Sequence, residues 1–327
     1  MMDRRAFLGT LALIAAPPAT EAQPPVQVHR IGFLPAGASA AHRQQLEALR
    51  EGLRELGYVE GKTILITAVW PRSSIELPEL AAALAKQDVK VIVAPATPAV
   101  AALKRVTNTI PIVFATAADP VGSGFVANLA HPGGNITGLS QLNIELSGKR
   151  VELLREAFPA RKAVILWFDD APATDTSTNI LRETQRRGEA LGIELRLLKA
   201  ARVEELAAVL AGLDARRDGG MILLPTSLAL AEASALADLT LKQKIPTIGA
   251  ARNFADRGGL MAYGVDLDDQ LRRAATYVDR ILKGARPGDL PVQQASRFHL
   301  VINLKTAKAL GLAIPPALLQ RADQVIE

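Results

Sequence analysis

Residues 89–114 read VKVIVAPATPAVAALKRVTNTIPIVF. Val89 to Val93 is a short run rich in β-branched residues, Pro98 to Val106 carries Val100 and Leu103 at helical spacing, and Ile110 to Phe114 is a second β-branched run. A strand, a helix and a strand in so short a span form a βαβ unit, which makes the two strands parallel neighbours in an α/β sheet.

The same rhythm extends in both directions. Upstream, a strand at Ile31 to Leu34 leads into a helix with Leu46, Leu49, Leu53 and Leu56 on one face, stopped by Gly57; a strand over Thr63 to Val69 and a helix through Leu77, Leu80 and Leu84 follow. Downstream, Pro120, Gly122, Gly124, Pro132, Gly133 and Gly134 interrupt the pattern before a short strand at Ile136 to Leu139. It then restarts. Strands are expected at Ala163–Phe168, Ile193–Leu198, Met221–Leu224 and Pro246–Ile248, with helices between them, one of which covers residues 228–241. After Tyr263 comes a helix with Leu271, Ala275, Val278 and Leu282 on one face, then a last strand at Phe298 to Leu304 and a closing helix. The fold class is α/β, with two halves that each build a mainly parallel sheet.

Composition fits a chain that buries large cores: 49% of its 327 residues are hydrophobic and 22% charged, which excludes a disordered protein. With no cysteine, disulfides, thiolate metal sites, cysteine nucleophiles and a lipidated N-terminal cysteine are all excluded. The net charge of +5 comes from 38 basic residues dispersed among 33 acidic ones, and pairs such as Arg186–Arg187 and Arg272–Arg273 lie in helical patterns. That describes a solvated face, and no nucleic-acid partner is expected.

The N-terminus reads as an address. Arg4 and Arg5 precede an apolar stretch from Ala6 to Ala16, then Pro17, Pro18 and a small-residue ending at Thr20 and Ala22. This is the pattern of a signal peptide over residues 1–22, too short to cross a bilayer and cleaved near Ala22. The paired arginines fit either a twin-arginine or an ordinary export signal. The expected location is the periplasm.

In open α/β sheets, ligands bind beyond the carboxyl ends of the strands. After the first strand stand Pro35, Ala36 and Ser39; after the third, Thr97 and Pro98; after the fourth, Ala115, Thr116, Ala118 and Asp119. Thr97 before Pro98 reads as an N-cap followed by the first helical residue, a place that serves an anion such as a carboxylate or simply caps its helix. In the second half the tips carry Asp169 and Asp170, then Thr226 and Ser227, then Arg252. Asp169 suits an ammonium or hydroxyl and Arg252 a carboxylate, the alternative being surface or interdomain ion pairs.

Enzyme signatures fail. Gly122, Gly124 and Ala127 match a dinucleotide-loop spacing, but Asp119 and Pro120 separate them from the strand that should enter the turn. The histidines at 29, 42, 131 and 299 form no metal-ligand pair, and neither a nucleophile elbow nor a phosphate-binding Walker loop occurs. No catalytic residue, metal or cofactor is expected.

Several stretches resemble a known family: RIGFL at 30–34, LRELGYVEG at 53–61, IPIVFATAADPVGSG at 110–124, AHPGGNITGL at 130–139, Tyr263 with Asp266, AATYVDRILKG at 274–284 and LVINLKTAKALGLAI at 300–314. The chain resembles ABC-transporter substrate-binding proteins with the type I periplasmic-binding-protein fold, some of whose members are receptors for aromatic amino acids. The resemblance implies two Rossmann-like lobes of parallel sheet joined by a hinge, with residues 23–142 plus 266–290 expected as lobe 1 and residues 143–265 plus 291–327 as lobe 2, closing over a small-molecule ligand, a monomer, and delivery to an ABC permease in the inner membrane. It also implies a site: Thr97, Ala115, Thr116 and Ala118 would hold the carboxylate and ammonium of an amino-acid-like ligand, with Asp169, Thr226, Ser227 and Arg252 from lobe 2 and Tyr263 near the hinge. Asp119 belongs to the family motif and shapes a turn. The loop after the first strand holds Ala36, Ala38, Ala40 and Ala41 and no ring, which argues against an aromatic ligand. The expected function is that of a noncatalytic solute receptor. A ligand-sensing receptor for a membrane signalling protein and an exported α/β hydrolase are the alternatives.

Overall fold

The computed structural model describes residues 28–158, 162–169, 175–213 and 219–327. The expected signal peptide and Asp170 lie outside them. The first sheet takes β1 (His29–Phe33), β2 (Ile64–Ala68), β3 (Val91–Ala96), β4 (Ile112–Ala117) and β5 (Ile136–Ser140), with α1 (Ala40–Glu55), α2 (Leu77–Ala85) and α3 (Thr97–Val106) in the crossovers. The second takes β6 (Lys162–Phe168), β7 (Glu194–Ala200), β8 (Met221–Leu223), β9 (Thr247–Gly249) and β10 (Met261–Val265). Its helices are α4 (Asn143–Ala157), α5 (Asp175–Ala190), α6 (Val203–Ala211), α7 (Ser227–Ala231), α8 (Ala233–Lys242) and α9 (Arg252–Asp256). The chain then returns to the first sheet with α10 (Leu267–Leu282) and β11 (Gln293–Gln294), and ends in the second with β12 (Phe298–Asn303), α11 (Leu304–Leu310), α12 (Pro316–Gln320) and β13 (Gln324–Ile326).

Strand order is β11-β5-β4-β3-β1-β2 in one sheet and β13-β12-β10-β9-β8-β6-β7 in the other. Every pairing is parallel except β10 with β12. Such sheets must be covered on both faces. In the first, Ile31, Phe33, Val91, Val93 and Val113 face α1 and α10, while Ile92, Ala94, Ile112 and Phe114 face α2 and α3. The alternation of these residues along each strand is the period-two rule working on both sides at once. Gly52 lets α1 and α10 meet closely, because a Cβ there would stand 2.3 Å from the Arg272 carbonyl oxygen. Gly138 does the same between strands: its φ is +148°, and a Cβ would fall 1.9 Å from the Phe114 carbonyl oxygen.

The two-sheet α/β class agrees with the sequence, but three local features do not. The strands β10 and β13 escaped detection. The helix expected over 228–241 is two, broken at Glu232, whose φ of −101° and ψ of 23° leave the helical region. And β11 pairs Gln293 with Leu139 and Gln294 with Ser140 in the first sheet, so the final crossing lies beyond it and not at residue 290.

The chain therefore passes between the sheets three times, after β5, after β10 and after β11. Leu146, Val265 and Ala295 pack together there against Leu267 and Phe298. Beneath them Arg150 is wholly buried, its Nε donating to the Tyr263 carbonyl at 2.8 Å and its Nη2 to Asn143 Oδ1 at 3.3 Å. Burial lowers this guanidinium to about 10, so it stays charged at neutral pH.

Candidate functional site

A cleft of about 1170 Å³, its open mouth included, lies between the sheets and is lined from both. It sits beyond the carboxyl ends of β3, β4, β6, β8 and β9, where the topology of open parallel sheets puts ligands. From the first sheet come Thr97, Pro98, Thr116 and Ala118; from the second, Asp169, Thr226 and Ser227. Ala36 lies with Gly37, Ser39 and Arg72 in an adjoining cavity that shares Pro98, Asp169 and Ser227 with the main cleft.

Several of these residues are committed to local structure. Thr97 is the first residue of α3 and the extended Ala96 takes the cap position. The Thr97 hydroxyl instead accepts from the Ala118 amide at 3.2 Å, tying α3 to the loop after β4. The Thr116 hydroxyl donates to the Pro95 carbonyl, which locks the ends of β3 and β4 together. Thr226 caps α7, accepting from the Ala229 amide at 3.0 Å while donating to the Phe168 carbonyl. These hydroxyls hold the cleft's rim in shape; Thr116 and Thr226 give their protons to backbone carbonyls, whereas Thr97, which accepts, has its proton to offer a ligand.

Five other expected residues lie off the cleft wall. Ala115 points the opposite way from Thr116 along β4 and is buried in the core under α1 and α10. Pro35 is buried behind the β1 loop. Asp119 turns its chain by accepting from the Gly122 amide at 2.8 Å. Arg252 is half exposed and pairs with Asp256 at 3.0 Å, one turn along α9, so its forked donors face outward. Tyr263 offers Arg150 its carbonyl, and its ring packs against Phe298 with centroids 6.5 Å apart.

The remaining wall comes from residues that a search of strand tips passes over. His42 and Gln45 reach in from the first two turns of α1, Gln141 and Asn143 from the crossing after β5, and Asn253 and Phe254 from α9. His42 and Gln45 stand on the apolar stripe of α1, four residues before Leu46 and Leu49, and a polar residue on such a stripe is the signal that marks them. The His42 Nδ1 lies 2.8 Å from the Ser39 hydroxyl, and burial pushes the imidazole down to about 4, so it is neutral. Asp169 is the one carboxylate side chain among the described residues of the wall, which holds no lysine or arginine. Phe254, Ile180 and Leu230 give the cleft an apolar side.

Comparison with known proteins now bears on this arrangement. Residues 38–326 match the family described as ABC transporter substrate binding protein. The chain belongs to that family. This substrate-binding protein is 26% identical over 266 residues to a tyrosine-binding protein of Clostridioides difficile, covering 80% of the present chain and 75% of the relative. Among solved structures, the ABC domain from Streptococcus pneumonia in complex with L-Trp superposes with a TM-score of 0.83 at 25% identity, covering 92% of this chain and all of the other. A conserved domain protein from Vibrio cholerae O1 gives a TM-score of 0.84 at 28% identity, covering 91% and 99%.

Proposed function

We propose that this substrate-binding protein is an exported, periplasmic receptor that holds a single amino acid between its lobes and delivers it to an inner-membrane ABC permease without altering it chemically. The observation that carries the reading is the division of the cleft. The Thr97 hydroxyl and the amides of the first turn of α3 suit a carboxylate, Asp169 suits the ammonium, and Phe254, Ile180 and Leu230 offer an apolar bed for a side chain. The ring-free loop after β1 lines the adjoining cavity and not the apolar side of the main cleft. An amino acid with a large side chain therefore fits, and the relatives whose names specify tyrosine and L-Trp support it.

A ligand that contacts both walls binds the closed form better than the open one, and this difference drives closure about the three crossings. Isothermal titration of residues 23–327 against the twenty amino acids tests the reading. One-to-one binding of a large amino acid is expected, with stabilisation of roughly 2–4 kcal/mol at saturating excess and clear weakening in Asp169→Asn. Binding confined to sugars or nucleosides would overturn it.

A further inference from the structure

The described cleft wall carries no cationic side chain, yet a cation stands directly behind it. Arg150 on α4 is wholly buried, and its partners are neutral: Nε donates to the Tyr263 carbonyl at 2.8 Å, Nη2 donates to Asn143 Oδ1 at 3.3 Å, and Nη1 is buried with no partner among the described residues. A guanidinium taken out of water without a carboxylate is disfavoured unless something nearby offsets its charge.

Asn143 lines the cleft, and so does Gln141 beside it. The contacts among the three run in one direction only. Arginine can only donate, so the Asn143 atom that meets it is the carbonyl oxygen, and the Asn143 Nδ2 is left to donate to Gln141 Oε1. What remains at the far end is the Gln141 Nε2, a donor with no partner among the described residues, on a half-buried side chain of the cleft wall. Each hydrogen bond in such a chain polarises the next, so the buried charge strengthens the donor at the cleft. Leu142, between the two amides, is held at a φ of +55°, a strained state for a leucine and one that ligand clamps commonly store.

The placement matches the acid end of the cleft. The Gln141 amide donates to the Ala117 carbonyl at 3.0 Å, and the next residue, Ala118, donates to the Thr97 hydroxyl at 3.2 Å, so Gln141 and Thr97 flank Ala118 across the ends of β5, β4 and β3. Neighbouring strands lie about 4.8 Å apart, which puts a carboxylate over Ala118 within reach of both side chains. We infer that Gln141 is a second donor to the ligand's carboxylate, and that Arg150, behind the wall, is the positioning residue that orients and polarises it, so that the receptor prefers an anionic group there to a neutral one. This inference rests on the amino-acid reading above and adds the residues that read the acid end. A carboxylate offsets the charge behind the wall; a carboxamide can accept from Gln141 but leaves that charge uncompensated.

The test is titration calorimetry at pH 6.5 with L-tryptophan against L-tryptophanamide and L-tyrosine against L-tyrosinamide, on the wild-type protein, Gln141→Met, Arg150→Met and the double variant. Both members of each pair carry the ammonium at this pH and share a side chain, so their affinity ratio reads the acid group alone. The acid is expected to bind wild type at least ~100-fold more tightly than the amide. Gln141→Met should shrink that ratio by about ten-fold or more and Arg150→Met by about five-fold or more, and the double variant should shrink it by less than the product of the two, because Arg150 acts through Gln141. Gln141 is half-buried and lies outside the cores, so its variant decides the matter even where Arg150→Met does not fold. Acid and amide binding equally well to wild type, or a Gln141→Met that weakens both by the same factor, would overturn the inference while leaving an amino-acid receptor. A folded Arg150→Met that weakens acid and amide alike would overturn the part assigned to Arg150. No binding of either amino acid would remove both this inference and the reading beneath it.

Discussion

His42 gives the chain a defined response to acid. The ring is buried between the β1 loop and the cleft, with Gly37 close enough that a Cβ there would lie 2.7 Å from the His42 Cε1, and Ser39 takes its Nδ1 at 2.8 Å. Folding holds the imidazole near 4 where the free side chain titrates at 6.5. Between those values the unfolded chain binds a proton that the folded chain refuses, so stability rises with pH through this window and is flat above it. The loss grows to about 2 kcal/mol at pH 5 and about 3 kcal/mol at pH 4. For a transition of one lobe's size, the pH 5 value corresponds to roughly 4–8 °C in melting temperature. The assay is thermal and urea unfolding of the wild-type protein and His42→Gln from pH 7.5 to 4.5, taking the difference between the two at each pH so that titrating carboxylates cancel. The wild type is expected to lose ground to the variant steadily below pH 6.5. Parallel curves for the two proteins would refute the reasoning, since they would mean that the folded state accepts the proton as readily as the unfolded one.

Other substitutions probe the frame around the cleft. Gly138→Ala forces a methyl against the Phe114 carbonyl where β4 and β5 pair, and should cost about 3 kcal/mol or more, or prevent folding; Gly134→Ala, with open space around it, should unfold within a degree or two of wild type. Tyr277→Phe removes the hydroxyl that donates to the Pro291 carbonyl at 2.7 Å, and urea unfolding should show a loss of about 1–2 kcal/mol. Arg150→Ala should cost about 3 kcal/mol or more through a cavity and an abandoned Tyr263 carbonyl. Arg150→Met should recover part of that, because it refills the space and removes a charge that burial disfavours; equal losses in the two variants would show that the guanidinium itself holds the crossing together.

The α/β class was legible because the parallel strands carry a plain signal. Ile92, Val93, Ile112 and Val113 are apolar without interruption, as strands covered on both faces must be. β10 was not legible, since the sequence MAYGV interrupts its apolar run with Gly264 and gains its place by antiparallel pairing with β12, far along the chain. The same division applies to the cleft. Thr97, Thr116, Ala118, Asp169, Thr226 and Ser227 lie on its wall because they follow strands whose ends topology fixes. Arg252 was misdirected by one helical position: its neighbours Ala251 and Asn253 face the cleft while its own side chain turns out to Asp256. Tyr263 contributes through its backbone, which no residue-type argument detects. Gln45 and Asn253 lie within helices, so a reading confined to strand tips passes them by.

The return of α10 to the first sheet matters for a chain made from one end to the other. Leu271, Ala274, Ala275 and Val278 cover the face on which Ile31, Phe33, Val91 and Val93 sit, and Tyr277 lies buried among them. While the ribosome is adding the strands of the second sheet, this face has only α1 over it, and the first lobe cannot close until residues near 282 have emerged. Its folding is thus postponed to the last part of synthesis. A product cut short before α10 would carry an uncovered apolar surface for proteases to find.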